Sequence, residues 1–165
     1  MDTTVDKSTK LYGVITPADV FNHWQGHRNL TRRVIEAFPE DAFFNLTIGG
    51  MRPFSEMVME LIGIAGPGIK EIATGVSAPL NEHVEHGHKK VHILELWDEA
   101  TQEINLYWNK IKPEQFQDTI MLFGQYKGTV YASICYFIDN EIHHRGQGYV
   151  YLRSLGIEPP AFYER

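Results

Sequence analysis

The sequence predicts an all-α fold, a four-helix bundle with long connections, and three observations carry that prediction. Apolar residues recur at helical spacing in four long segments. Helix caps, prolines and glycines mark the ends of those segments. No segment shows the convincing alternation of apolar and polar residues that is typical of a β-strand. A chain of 165 residues is long enough to bury one core, so we expect residues 1–165 to form a single domain.

Composition and charge exclude several classes of protein. The formal net charge of −6 argues against nucleic acid as the main partner, because phosphate binding needs a basic face. Cys135 is the one cysteine, so no intramolecular disulfide can form. No window approaches the roughly 18 apolar residues of a membrane span. The opening residues 1–7 lack the apolar stretch of a secretory signal, and we therefore expect a cytoplasmic protein.

The first helix is predicted over residues 17–38. The run Thr16-Pro17-Ala18-Asp19 supplies a threonine cap, a proline at the first helical position and an acid at the third. Pro39 ends the segment, and residues 39–52 are expected to be a long connection. The stripe of this helix consists of Val20, Trp24, His27, Thr31, Val34 and Phe38.

The second helix is predicted to open at Arg52-Pro53-Phe54. Its apolar face comprises Phe54, Met57, Val58, Leu61, Ile62 and Ala65. Proline removes a backbone donor and clashes with the preceding turn, so Gly66-Pro67-Gly68 predicts a kink or break. A short continuation should end at Gly75.

Two further helices complete the bundle. The third follows residue 90 and is bounded by Pro113, with Leu94, Trp97, Thr101, Ile104, Trp108 and Ile111 as its stripe. Residues 113–128 are expected to hold a short helix and glycine breaks. The fourth helix is predicted over residues 129–155, and Gly156 followed by Ile157 fits a left-handed cap.

A polar belt, Asp139 to Gln147, lies in the middle of the fourth helix. It predicts the centre of function, since buried polar groups need partners. Asn140 and His144 are four residues apart on the inward face, the spacing with which two ligands meet one metal ion. A polar pair that is hydrogen-bonded across the core explains the same pattern.

Glu60 is the candidate third member of this site. It is the one charged residue between Met57 and Ala65, and it lies at the edge of the apolar stripe of the second helix. A carboxylate turned inward there needs a cation, which a metal held by the fourth helix would supply. A solvated position on the helix flank is the alternative.

Three further residues on the first and fourth helices are candidates for a substrate pocket, and two of them have a plainer alternative role. Trp24, His27 and Arg145 are candidate substrate-pocket residues. For His27 the alternative is a satisfied core histidine, and for Arg145 it is an ion pair with Glu141, four residues earlier. The histidines of the loop before the third helix (His83, His86, His88 and His92) lack cysteines around them, and we do not expect a physiological metal there.

Several motifs resemble those of one family. Glu141-Ile142-His143-His144-Arg145-Gly146-Gln147, with Tyr151-Leu152-Arg153 and Gly156-Ile157-Glu158-Pro159 after it, resembles the closing signature of DinB/YfiT-like proteins. Phe54-Ser55-Glu56-Met57 after Arg52 is similar to the second-helix motif of that family. Helix order agrees as well, so the resemblance covers nearly the whole chain.

The resemblance implies a bundle, often a homodimer, that holds a divalent metal between its second and fourth helices. The usual ligands in the family are three histidines. His144 matches the last of them, Asn140 stands where the first histidine of the fourth helix is usual, and Glu60 falls about where the second-helix histidine is expected. Such a mixed oxygen and nitrogen set suits manganese, iron, zinc or nickel, with the harder ions favoured.

The predicted function is therefore that of a divalent-metal-dependent enzyme acting on a small molecule. The resemblance implies a transferase of low-molecular-weight thiols or a hydrolase-like activity. The acidic charge and the lack of a long apolar window predict no nucleic-acid or membrane partner. The alternative is a non-catalytic stress-related or ligand-binding bundle that has lost the metal. DNA binding is disfavoured by the acidic charge of the chain.

Overall fold

A computed structural model describes residues 14–77, 80 and 83–165, so the opening residues 1–7 lie outside the described part. It confirms the predicted all-α bundle. The described helices are α1 (Pro17–Ala37), α2 (Glu40–Asn45), α3 (Phe54–Thr74), α4 (Lys90–Trp108) and α5 (Val130–Ser154). A 3-10 helix (Pro113–Gln117) and a two-stranded hairpin, β1 (Thr119–Leu122) and β2 (Tyr126–Thr129), lie between α4 and α5.

The four long helices pack in a closed arrangement around two hydrophobic clusters. α3 contacts α4 and α5, and α1 contacts the same two helices, which places α1 and α3 diagonally across the bundle. One cluster surrounds Phe54 and Trp97, and the other surrounds Trp24 and Phe137. Among the described residues, no helix is long and apolar enough to cross a membrane.

The predicted helix ends are confirmed at both ends of the chain. Thr16 Oγ1 accepts a hydrogen bond from the Asp19 amide at 3.2 Å, and the Asp19 carboxylate accepts one from the Thr16 amide at 2.9 Å. This reciprocal capping box starts α1. After α5, Gly156 has φ +74° and the Ile157 amide donates to the Leu152 carbonyl at 2.9 Å, as the left-handed cap requires.

A kink or a break was predicted at Gly66-Pro67-Gly68; the break is wrong, because α3 continues through Pro67 to Thr74, and the predicted end at Gly75 is confirmed. Tertiary packing explains why the glycines are there. A Cβ at Gly66 would lie 2.8 Å from Glu103 Oε2, and one at Gly68 would lie 2.4 Å from the Phe137 ring. The glycines therefore let α4 and α5 approach α3 closely, and these contacts hold the helical path past the proline.

Two connections also differ from expectation. Residues 39–52 contain the short helix α2, and residues 113–128 contain strands as well as the expected short helix. The strands have only four residues each, too few to show an alternating pattern, and they pair from Thr119↔Thr129 to Leu122↔Tyr126. Glu71 on α3 accepts a hydrogen bond from the Phe123 amide at 3.0 Å, which ties the hairpin turn to the bundle.

The third predicted helix, which is α4 in the structure, is shorter than the apolar stripe that predicted it. α4 ends at Trp108, so Ile111 belongs to the turn that follows, although it stays buried in the core.

Candidate functional site

The site lies between the middle of α3 and the middle of α5, where the structure brings Glu60, Asn140 and His144 together. Asn140 Nδ2 donates to Glu60 Oε1 at 3.0 Å, and His144 Nε2 lies 3.1 Å from the same oxygen. Asn140 and His144 share one face because they are four residues apart on a helix. The convergence that the sequence predicted is therefore present, while the role of the three residues as metal ligands stays a prediction.

Two residues that sequence reasoning did not assign to the site complete these contacts. Arg52, just before α3, donates to Glu60 Oε2. Gln147 Oε1 lies 2.7 Å from His144 Nδ1, and Gln147 Nε2 donates to Met51 Sδ at 3.2 Å. Gln147 was identifiable by its position three residues after His144, whereas Arg52 precedes the helix and has no periodic relation to Glu60.

The carboxylate of Glu60 is held in its ionised form. Burial acts to raise its pKa, but hydrogen bonds from Arg52, Asn140 and His144, with the charge of His144, outweigh burial and lower the pKa to about 2. The side chain of Glu60 is 17% exposed and that of Arg52 is 45% exposed, so the ion pair sits at the boundary between core and solvent. Glu60 is therefore a fixed negative charge, and Arg52 is the cation that offsets it among the described residues.

A cavity of about 420 Å³ opens beside Glu60. We call it the hairpin cavity, since the β1–β2 hairpin forms one of its walls and α3 and α5 form the others. Its lining includes Glu60, Ile64, Leu122, Phe123, Tyr126, Lys127, Gly128, Ala132, Ser133, Tyr136 and Phe137. The volume is in the range of small-molecule sites, and mostly apolar walls with a few polar groups are typical of them.

The candidate pocket residues Trp24, His27 and Arg145 lie in a different place, between α1 and α5. All three are buried, and none of them lines the hairpin cavity. Arg145 donates to the His27 carbonyl at 3.3 Å and its second terminal nitrogen lies 2.8 Å from His27 Nδ1. Their contacts form a core network, and a role in binding substrate stays a prediction.

Glu141 is the centre of that core network. It is 1% exposed, and it accepts hydrogen bonds from Trp24 Nε1 at 3.2 Å and from Thr31 Oγ1 at 2.6 Å. Guanidinium nitrogens of Arg28 and Arg145 each lie 3.8 Å from its oxygens. Burial raises the pKa of Glu141, and these two charges oppose the rise. The pair predicted from the four-residue spacing exists, but it is buried and shared with α1.

Arg28 joins the hydrophobic cluster around Phe54 and Trp97 to this network. Its guanidinium lies 3.4 Å from the Trp97 ring and donates to the Trp97 carbonyl at 3.0 Å and to Thr101 Oγ1 at 2.8 Å. Burial lowers the pKa of Arg28 to about 10, with Glu141 acting against that change, so it is still charged at neutral pH. The network therefore holds more positive than negative charge inside the bundle.

The histidines before α4 pack against an aromatic side chain. The ring of Phe44 stacks on His86 with a centroid distance of 5.5 Å and lies 5.1 Å from His88. His92 Nδ1 lies 3.1 Å from the His86 carbonyl oxygen. Within residues 14–77, 80 and 83–165, no three or more histidine, cysteine, aspartate or glutamate side chains are grouped so as to hold a metal ion. The Glu60 cluster contains two residues of those types, Glu60 and His144, and its third member is Asn140.

Comparison with known families and structures gives one family and one fold. The model of the DinB family matches residues 7–165. A search of curated proteins finds no match. The crystal structure of a DinB-like protein from Bacillus subtilis is similar, with a TM-score of 0.72 and 23% identity over 88% of this chain and 99% of that one.

A second similar crystal structure is that of a DinB-like protein from Bacillus cereus. Its TM-score is 0.72 at 13% identity, over 88% of this chain and 97% of the other. Similarity at such low identity establishes the shared fold and carries no conclusion about chemistry.

Proposed function

This chain belongs to the DinB family, and we propose that it is a divalent-metal-dependent enzyme whose ion is held by Glu60, Asn140 and His144. We expect manganese, iron, zinc or nickel, since carboxylate, amide oxygen and imidazole together suit borderline and harder ions.

The observation that carries this proposal is the arrangement of acceptors around His144. His144 Nε2 lies 3.1 Å from Glu60 Oε1, and Nδ1 of the same ring lies 2.7 Å from Gln147 Oε1. A carboxylate oxygen and a deprotonated imidazole nitrogen that face each other are both atoms that bind divalent ions.

The supporting contacts are those that metal ligands usually have. Gln147 fixes the ring of His144, as partners of the other ring nitrogen do at metal sites. Arg52 engages Glu60 Oε2, so Oε1 is the oxygen directed at the cluster. Asn140 contacts Glu60 through its amide Nδ2, and its amide oxygen is the atom that would bind the ion. The residues present therefore fit a divalent ion.

When bound, such an ion would lower the pKa of a coordinated water or substrate thiol, because three protein ligands leave positions open. The chain itself supplies binding and orientation. Glu60 lines the hairpin cavity, so a small molecule in the cavity has its end beside the cluster. From membership of the DinB family we infer a transferase of low-molecular-weight thiols, or a related hydrolase, as the activity.

The test is metal analysis of protein purified without a His tag or chelator. We expect about one transition-metal ion per chain, lost in His144→Ala with the helical circular dichroism retained, and kept in His143→Ala. His143 is the matched control because it is the neighbouring histidine and is exposed. No bound metal, together with unchanged thermal stability on adding manganese, iron or zinc, would overturn the proposal.

A second candidate function is a ligand-binding bundle that has lost the metal. The specific observation in its favour is that Arg52 already supplies a cation to Glu60, whose two oxygens both have partners. For this candidate, His144→Ala lowers stability and changes no metal content. Unfolding and metal analysis of the same variant therefore separate the two candidates.

A further inference from the structure

We propose that the hairpin cavity binds the apolar body of a small organic anion, and that Lys127 pairs with the anionic group of this ligand. The inference rests on the proposed function, because it names the class of substrate for the same site. Three observations carry it: the apolar walls of the cavity, the position of Lys127, and the contacts that already engage both oxygens of Glu60.

The inner walls of the hairpin cavity are apolar, and aromatic side chains lie at its mouth. Leu122, Phe123 and Phe137 are 4%, 8% and 2% exposed, so they form a dry interior surface. Tyr126 and Tyr136 are each 56% exposed, so their rings stand where a ligand would enter. Apolar and aromatic surfaces of this kind bind alkyl or aryl groups by removing them from water.

The charges of the lining favour an anion over a cation. Lys127 on β2 is exposed, and among the described residues no carboxylate forms an ion pair with it. Glu60 is the acid in the lining; its two oxygens accept from Arg52 and Asn140, and Oε1 also contacts His144 Nε2. The positive group is therefore available to a ligand, whereas the negative group is already engaged.

These positions also orient the ligand. Lys127 lies on the hairpin at the exposed side, and Glu60 lies on α3 beside the cluster. Ala132 on α5 and Gly128 on β2 are small, and a Cβ at Gly128 would meet nothing within 4 Å, so the space between the two ends is open. An anion at Lys127 would direct its uncharged end toward Glu60, where the proposed chemistry takes place.

The experiment uses three probes with one apolar body: 4-phenylbutyrate, 4-phenylbutanol and 4-phenylbutylamine. Calorimetric titration of the full chain should show 4-phenylbutyrate binding at least tenfold more tightly than the amine and severalfold more tightly than the alcohol. Lys127→Gln should remove the advantage of the carboxylate while leaving the affinity for the alcohol unchanged. Lys110→Gln makes the same change of charge outside the cavity, and this variant should keep the preference for the carboxylate. Ala132→Trp, which fills the cavity, should abolish binding of all three.

Equal affinity for carboxylate and amine, retention of the carboxylate preference in Lys127→Gln, or no binding of any probe would overturn the inference. All titrations are run on chelator-treated and on metal-supplemented protein, with metal content measured on the same samples. Carboxylate binding that depends on Lys127, in protein that takes up no metal even after supplementation, upholds the inference and counts against the proposed function. Bound metal without carboxylate binding upholds the proposed function and overturns the inference.

Discussion

Acidification should destabilise the folded protein through one buried histidine, His27 on α1. This side chain is 4% exposed, and its Nδ1 accepts a hydrogen bond from an Arg145 terminal nitrogen at 2.8 Å. Burial is the largest influence on its pKa, and the charges of Arg145, His23 and Arg165 act in the same direction, lowering the pKa from 6.5 to about 3. The fold therefore accommodates the neutral imidazole and resists the charged one.

The size of the effect follows from proton linkage. The unfolded chain takes up a proton on this histidine near pH 6.5, whereas the folded chain does so only near pH 3. A lowered pKa means that the contribution to stability is present above pH 6.5 and is lost as the pH falls toward 3. Each pH unit within this window lowers the free energy of unfolding by about 1.4 kcal/mol. At pH 5 the loss is therefore about 2 kcal/mol.

The assay is urea unfolding followed by circular dichroism at neutral pH and near pH 5. We compare the wild type with His27→Gln, whose neutral side chain keeps an acceptor for Arg145. The variant should lose about 2 kcal/mol less than the wild type on acidification. The exposed His143 provides the control, since His143→Gln removes one imidazole and leaves the buried contacts intact. An equal loss in wild type and His27→Gln would refute the reasoning.

Two further variants test the core. Glu141→Gln should lower the free energy of unfolding by roughly 3 kcal/mol, because two buried guanidiniums lose their counter-ion; a urea midpoint equal to that of the exposed control Glu99→Gln would contradict this. Gly148→Ala should cost about 1–3 kcal/mol, since the added Cβ would lie 2.6 Å from Phe54 Cε2. Gly146→Ala has nothing within 4 Å of its Cβ and should gain up to about 1 kcal/mol in thermal unfolding; a stabilised Gly148→Ala would be inconsistent with the close approach.

The candidate site was predictable where it depends on helical spacing. The four-residue interval between Asn140 and His144 places both on one face of α5, and the isolation of Glu60 among apolar residues directed attention to α3. Their contact at 3.0–3.1 Å agrees with that expectation. Arg52 and Lys127 were not predictable, because each reaches the site from a connection whose path depends on tertiary packing.

The sequence by itself determined the long helices and those of their ends that carry a cap, because caps and apolar periodicity act over a few neighbouring residues. Thr16 and Gly156 show this most clearly. Only the tertiary structure decided that α3 continues through Pro67, since contacts with α4 and α5 outweigh the local preference of a proline to end a helix. The tertiary structure also decided that the side chains of the polar belt contact two different parts of the bundle. Glu141 turns toward α1 and its arginines, while Asn140 and His144 turn toward Glu60 and the hairpin cavity, because adjacent helical positions point about 100° apart.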